Sequence, residues 1–164
     1  MKLLPKSQGF TLIEFLLYMG ILSFILLILT TTFGAVIDSG LEAGGVASTQ
    51  QDGRYILLRL TYDLQRAQSI ISPPLGATSS ALQLLVGGSN VSYQLDGGGN
   101  MVFTDSTGSD FLNSFNASIS GVTFQRVGNM NGKNSVIFSY ITTSRTISQK
   151  GPEQSFFQSV VAGR

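Results

Sequence analysis

From Phe10 to Leu29 the chain runs for twenty residues in which Glu14 is the only charged side chain. About 20 apolar residues cross a ~30 Å hydrocarbon core as a helix, and in lipid only a helix or a closed barrel satisfies its own backbone polar groups. This block therefore predicts a membrane-capable helix near the N-terminus. The nine residues before it, MKLLPKSQG, carry Lys2 and Lys6. Basic residues on that side predict a cytoplasmic N-terminus and an exported remainder.

Three readings of such a block compete. A secretory signal has a shorter apolar region of about 7–15 residues followed by a small-residue cleavage site. Here the run is longer, and Ala-x-Ala chemistry is missing at its C-terminal end. A plain signal-anchor, holding an extracytoplasmic binding head that is never processed, explains the length but not Glu14. A carboxylate in hydrocarbon costs about 2.5–3.5 kcal/mol on insertion scales and is normally there to meet a partner.

The segment Gly9-Phe10-Thr11-Leu12-Ile13-Glu14, with a basic head before it and an apolar run after it, resembles the class III signal of type IV pilins and type II secretion pseudopilins. The resemblance implies that a prepilin peptidase cuts between Gly9 and Phe10 and N-methylates the new Phe10 amine. It implies that the helix then assembles with other pilin or pseudopilin subunits, Glu14 pairing with a neighbour's N-terminal amine. Physics agrees: a buried carboxylate needs a compensating cation, and a neighbour's α-ammonium is what the mature apolar segment offers. Many major pilins carry a proline in the second half of this helix. This chain has Thr30-Thr31-Thr32-Phe33-Gly34 instead, residues that favour local loosening.

Composition narrows the chemistry. The chain has no cysteine and no histidine, so it lacks a disulfide framework, the commonest general base and the commonest transition-metal ligands. A Ser-His-Asp site is excluded, and no Ser-x-x-Lys motif occurs. We expect no catalytic residue, no cofactor, no metal and no small-molecule substrate. The formal charge of +1 gives no sign of a nucleic-acid partner. Loss of Lys2 and Lys6 with the leader would leave the mature chain at −1.

Residues 38–72 read as an amphipathic continuation of the helix. The stretch DSGLEAGGVASTQQDG is polar and small, and Gly44-Gly45 predicts a kink. Leu57, Leu60, Leu64, Ala67 and Ile71 then recur at steps of three and four, an apolar stripe expected to pack on a sheet. Arg59 and Asp63 stand four apart on the other side as a surface pair. Pro73-Pro74 ends the helix. Arg54, Arg59 and Arg66 interleave with Asp52 and Asp63, which favours a solvated face over DNA contact.

Beyond Leu75 the texture becomes short alternating segments. Ala81–Val86, Asn90–Leu95 and Asn100–Thr104 read as strands around turns at Gly87-Gly88 and Asp96–Gly99. Val122–Val127 and Ser135–Thr142 pair across 128–133, and Phe156–Val161 is a last strand. The expected fold is α+β: a leader over 1–9, a transmembrane and assembly helix over 10–37, its amphipathic continuation over 38–72, and an antiparallel β-rich head over 75–164.

The head resembles the J-type minor pseudopilin and related minor pilins at Leu64–Ala67, Leu82–Leu84, Val91–Leu95, Val122–Phe124 and Phe156–Arg164. That resemblance implies a minor subunit, with the cytoplasmic (inner) membrane as its anchor and a filament as its destination. Four further motifs take plainer readings. Gly97-Gly98-Gly99-Asn100 is a hairpin turn, not a phosphate loop. Asp105 and Asp110, with Ser106, Thr107 and Ser109, form a solvated loop in preference to a calcium site. Asn116-Ala117-Ser118 is a common tripeptide that also matches a glycosylation acceptor. Phe156 and Phe157 are expected to be buried.

Overall fold

A computed structural model describes residues 11–129 and 132–162. One helix, α1 (Leu12–Arg66), is followed by nine strands: β1 (Ala67–Ser72), β2 (Thr78–Ser79), β3 (Leu82–Val86), β4 (Ser89–Leu95), β5 (Met101–Asp105), β6 (Gly108–Phe111), β7 (Ala117–Val127), β8 (Ser135–Ser148) and β9 (Gly151–Ala162). The chain divides into two compact units, one ending at Ser39 and one starting at Gly40.

The first unit is helix alone. Its large apolar side chains from Leu12 to Leu29 are exposed on every face, the composition of a helix made for an apolar surrounding. Its serine and threonine hydroxyls between residues 23 and 32 are turned onto the backbone: Ser23 donates to the Met19 carbonyl at 2.8 Å and Thr30 to that of Leu26 at 2.9 Å. Thr32 donates to the Ile28 carbonyl at 2.8 Å. The threonine cluster thus continues the helix, its polar groups satisfied within one turn as hydrocarbon demands.

In the second unit the end of α1 packs on two antiparallel sheets. One has the order β1-β3-β4-β5-β6, the other β2-β7-β8-β9. The α+β class follows from the residues, although the single sheet expected from the pattern is two. The β3–β4 hairpin turns on Gly87 and Gly88, both at positive φ (60° and 82°), the geometry of a type I′ turn. Val91, Tyr93 and the facing Met101 and Phe103 point into the core, which also holds Ile56, Leu60 and Leu64 of the helix and Phe124, Phe138 and Tyr140 of the second sheet.

The helix ends at Arg66, six residues before the expected stop. Residues 67–72 form β1, antiparallel to β3, with Ala67 opposite Val86 and Ile70 opposite Leu84. The three-and-four spacing runs on through Ile71 by coincidence. Paired β-branched Ile70 and Ile71, two positions from proline, suit a pleated strand better than a helical turn. Ile71 is exposed in consequence, and Leu57 lies at the core margin.

The small, polar stretch before that point is a packing seam. Gly45, Thr49, Asp52, Gly53, Ile56, Leu60, Asp63 and Leu64 form the buried face of α1. The helix is hydrogen-bonded through Gly44-Gly45. A methyl group added at Gly53 would sit 2.1 Å from the Phe157 ring, and the Gly53 carbonyl accepts a hydrogen bond from the Tyr140 hydroxyl at 2.6 Å. Phe157 stacks in turn on Tyr140, with centroids 5.4 Å apart.

Two glycine substitutions should therefore act differently. Gly53→Ala forces Phe157 off Tyr140 and should destabilise the head by about 1–3 kcal/mol. Gly44 has open space around it, so Gly44→Ala should leave stability unchanged or raise it by up to ~1 kcal/mol through helix propensity. Denaturant titration should show a clear loss for Gly53→Ala and none for Gly44→Ala.

Candidate functional site

The sequence singles out Gly9, Phe10 and Glu14. Gly9 and Phe10 lie outside the described residues; Glu14 occupies the first turn of α1. The Thr11 carbonyl accepts the first helical hydrogen bond, from the Phe15 N–H at 3.1 Å, which makes Thr11 the N-cap. The Thr11 hydroxyl accepts from the Glu14 N–H at 3.3 Å, and Glu14 Oε2 accepts from the Thr11 N–H at 3.1 Å. The Thr11 hydroxyl also lies 3.1 Å from Glu14 Oε2. This reciprocal arrangement is a capping box.

The box changes the energetics of the anomalous carboxylate. Its negative charge stands where the positive end of the helix dipole is strongest. It also satisfies an N-terminal backbone N–H that hydrocarbon would leave orphaned. A carboxylate has about four acceptor positions. Thr11 engages one oxygen, so the group retains capacity for a further donor.

Downstream, α1 is long and apolar enough to cross a membrane, with a mean hydropathy of 2.6 over its best 18 residues.

In the second unit the helix carries two buried carboxylates, each engaged by a strand or loop of the head. Asp52 accepts from the Ser114 N–H at 2.8 Å and the Ser114 hydroxyl at 2.7 Å. Asp63 accepts from the Tyr93 hydroxyl and, at 3.1 Å, from Arg59 Nε. The expected surface pair at Arg59 and Asp63 is thus half interior: Asp63 is only 4% exposed. Its position could have been read from the buried rhythm 52-56-60-63, which places both aspartates on the stripe with Ile56 and Leu60.

Arg59 and Arg66 are engaged within the chain. The Arg59 guanidinium lies 4.5 Å from the centre of the Phe103 ring, and that of Arg66 lies 4.8 Å from the Tyr62 ring. Arg54 is exposed.

The remaining motifs resolve as turns. Asp96 Oδ1 accepts from the N–H groups of Gly98 (2.8 Å) and Asn100 (2.7 Å), closing the β4–β5 hairpin. The Asn100 side chain, with these N–H groups, holds the Asp96 carboxyl below its usual range. Asp105 is lowered in the same way by the Thr107 hydroxyl and N–H, in the turn between β5 and β6. Among the described residues no group of three or more acidic side chains could hold a metal ion. Asn116 is exposed. Phe156 is 64% exposed, against expectation: alternation along β9 turns Phe157 onto the helix and Phe156 outward.

A family model described as the prokaryotic N-terminal methylation motif matches residues 4–30. No curated protein and no solved structure matches the chain. The motif indicates a type IV pilin-like precursor processed by prepilin peptidase, and the long apolar helix fits a membrane anchor.

Burial pushes the Tyr93 and Tyr140 hydroxyls above their ordinary range, and the Asp63 carboxylate adds to the effect at Tyr93. Unfolded tyrosine titrates near pH ~10. Above that pH the unfolded chain sheds protons that the folded head keeps, so stability is full below pH ~10 and falls as pH rises further. Melting temperatures taken at rising pH should show this decline, flattened in Tyr93→Phe. At neutral pH the same variant should lose about 1–3 kcal/mol, because Asp63 is left short of a donor.

Proposed function

We propose that the chain is a structural subunit, of the minor pilin or pseudopilin kind, of a type IV pilus-like or type II secretion filament. Prepilin peptidase cuts between Gly9 and Phe10 on the cytoplasmic side, and the new Phe10 amine is N-methylated. The helix stays in the inner membrane with the head outside it, then passes into the filament beside other pilin subunits. There Glu14 takes the Phe10 ammonium of a neighbour and so sets axial register.

The observation that carries this reading is the capped glutamate at the head of the apolar helix, within the matched residues 4–30. In the lone subunit Thr11 satisfies part of the carboxylate, which lowers the cost of holding it in the membrane. Removal of the leader takes Lys2 and Lys6 away and creates a cation one residue before the cap. A methylated amine keeps its charge, so it can serve as the compensating ion. The minor-subunit assignment rests on the order of elements in the head.

Intact-mass analysis of the chain expressed with a prepilin peptidase should give a species beginning at methylated Phe10. A chain still beginning at Met1, or cut beyond residue 30, would overturn the reading in favour of a signal-anchor or a secreted protein. Glu14→Ala should still be cleaved, but its incorporation into filaments should fall by about tenfold or more, the loss of a charge-assisted bond worth ~1.5–3 kcal/mol. Normal incorporation would remove the register role from Glu14. Quantitative mass spectrometry of filaments should find this chain well below the bulk subunit.

A further inference from the structure

The two sheets end in four edge strands, and three of them are poor templates for further pairing. β2 has 2 residues and β6 has 4. β1 has 6 and is broken by two register shifts against β3. The fourth edge, β9, is different. It runs for 12 residues with Glu153 as its only charge, and no strand flanks its outer side among the described residues. Long, uncharged edges of this kind recruit another strand unless something blocks them.

The outward face of β9 specifies which strand. Phe156 pairs with Ile141 of β8, Gln158 with Ser139, and Val160 with Ile137. The sheet surface therefore reaches its edge as an apolar row, a polar row and a second apolar row. Phe156 and Val160 are 64% and 61% exposed there. A partner strand must present apolar, polar and apolar residues at the same spacing, and β9 itself does so.

We propose that β9 pairs antiparallel with β9 of a second copy of this chain, about a two-fold axis at Gln158. Phe156 then faces the second copy's Val160, and Val160 its Phe156, the aromatic–β-branched pairing that stabilises adjacent strands. The rows run unbroken across the junction: Ile141, Phe156, then Val160 and Ile137 of the second copy. Gln158 meets Gln158 between them, next to Ser139 on each side. Pairing extends from Gln154 to Ala162, which leaves Pro152, with no N–H to give, outside the ladder. No like charges meet, since Glu153 also falls outside it. The contact is isologous, as closed dimers require. This inference stands apart from the processing of the N-terminus.

The chain has no cysteine, so introduced thiols report alone. In the detergent-solubilised full-length chain, Gln158→Cys should form a disulfide-linked dimer on mild oxidation. Phe156→Cys alone should not: its thiol lies four residues, roughly 13 Å, from its own symmetry mate, and a disulfide tolerates a Cα separation of only about 7 Å. An equimolar mixture of Phe156→Cys and Val160→Cys should give the mixed dimer. The double variant Phe156→Lys, Val160→Lys should run as a monomer in light scattering while still unfolding in one cooperative transition, its melting temperature independent of protein concentration. A parent chain that is monomeric at about 100 μM, far above the Kd expected of a specific pair, would overturn the proposal. So would a dimer that survives the lysine pair, or cross-linking of Phe156→Cys alone to the level of Gln158→Cys.

Discussion

The head depends on how closely the Gly40–Arg66 part of α1 can approach its sheets. Helix and sheet can come that near at Gly53 only because no side chain intervenes, so Phe157 covers the backbone and Tyr140 reaches the Gly53 carbonyl. Ten residues on, Asp63 draws Tyr93 of the other sheet toward the same helix. Asp52 does so for the loop at Ser114. An aspartate buried without donors would cost several kcal/mol. These contacts are thus selective: an arrangement that moved either sheet would strand a carboxylate, while apolar packing alone would tolerate many.

The same physics explains why a glycine-rich stretch can be helical. Each glycine costs about 1 kcal/mol of helix propensity relative to alanine. At Gly53 that loss is offset by an approach distance no other residue allows, and at Gly45 a methyl would sit tightly, 3.1 Å from the Ser144 hydroxyl. Thr49 sits between them, 3.4 Å from the Ser155 hydroxyl. Low propensity marked the seam but could not reveal its cause, because the cause lies on β8 and β9, about 100 residues downstream. Local pattern found the central hairpins for the opposite reason. Val91, Tyr93 and Leu95 alternate within a segment whose turn residues are adjacent, so register is a local property.

Where sequence reasoning went astray, two local rules gave the same spacing. Ala67 and Ile71 continue the helical rhythm numerically, yet they belong to a strand, and only pairing with β3 decides between them. Arg59 and Asp63 satisfy the rule for an exposed helical pair, but Asp63 also lies on the buried stripe, where Tyr93 meets it. Phe156 and Phe157 are alike in type and differ in fate through strand alternation alone. Glu14 was visible as an anomaly because an isolated carboxylate in an apolar run is costly wherever it points. Thr11 as its partner was equally local, a Thr-x-x-Glu box, yet the apolar context drew attention to distant cations instead.

Both units obey one rule in unlike surroundings: polar groups removed from water are met first within the chain. In the apolar half, threonine hydroxyls return to backbone carbonyls and Glu14 returns to its cap. In the head, Asp52 and Asp63 find donors on loops and strands. Contacts with other molecules must then use capacity that folding leaves over. A capped carboxylate keeps lone pairs because a threonine supplies fewer donors than a carboxylate accepts. An edge strand keeps half its backbone groups because the sheet stops there. Self-satisfaction makes the lone chain tolerable, and the remainder is the capacity that the proposed associations draw on. A chain that closed its last edge with a charge or a bulge would gain solubility and forgo that second step.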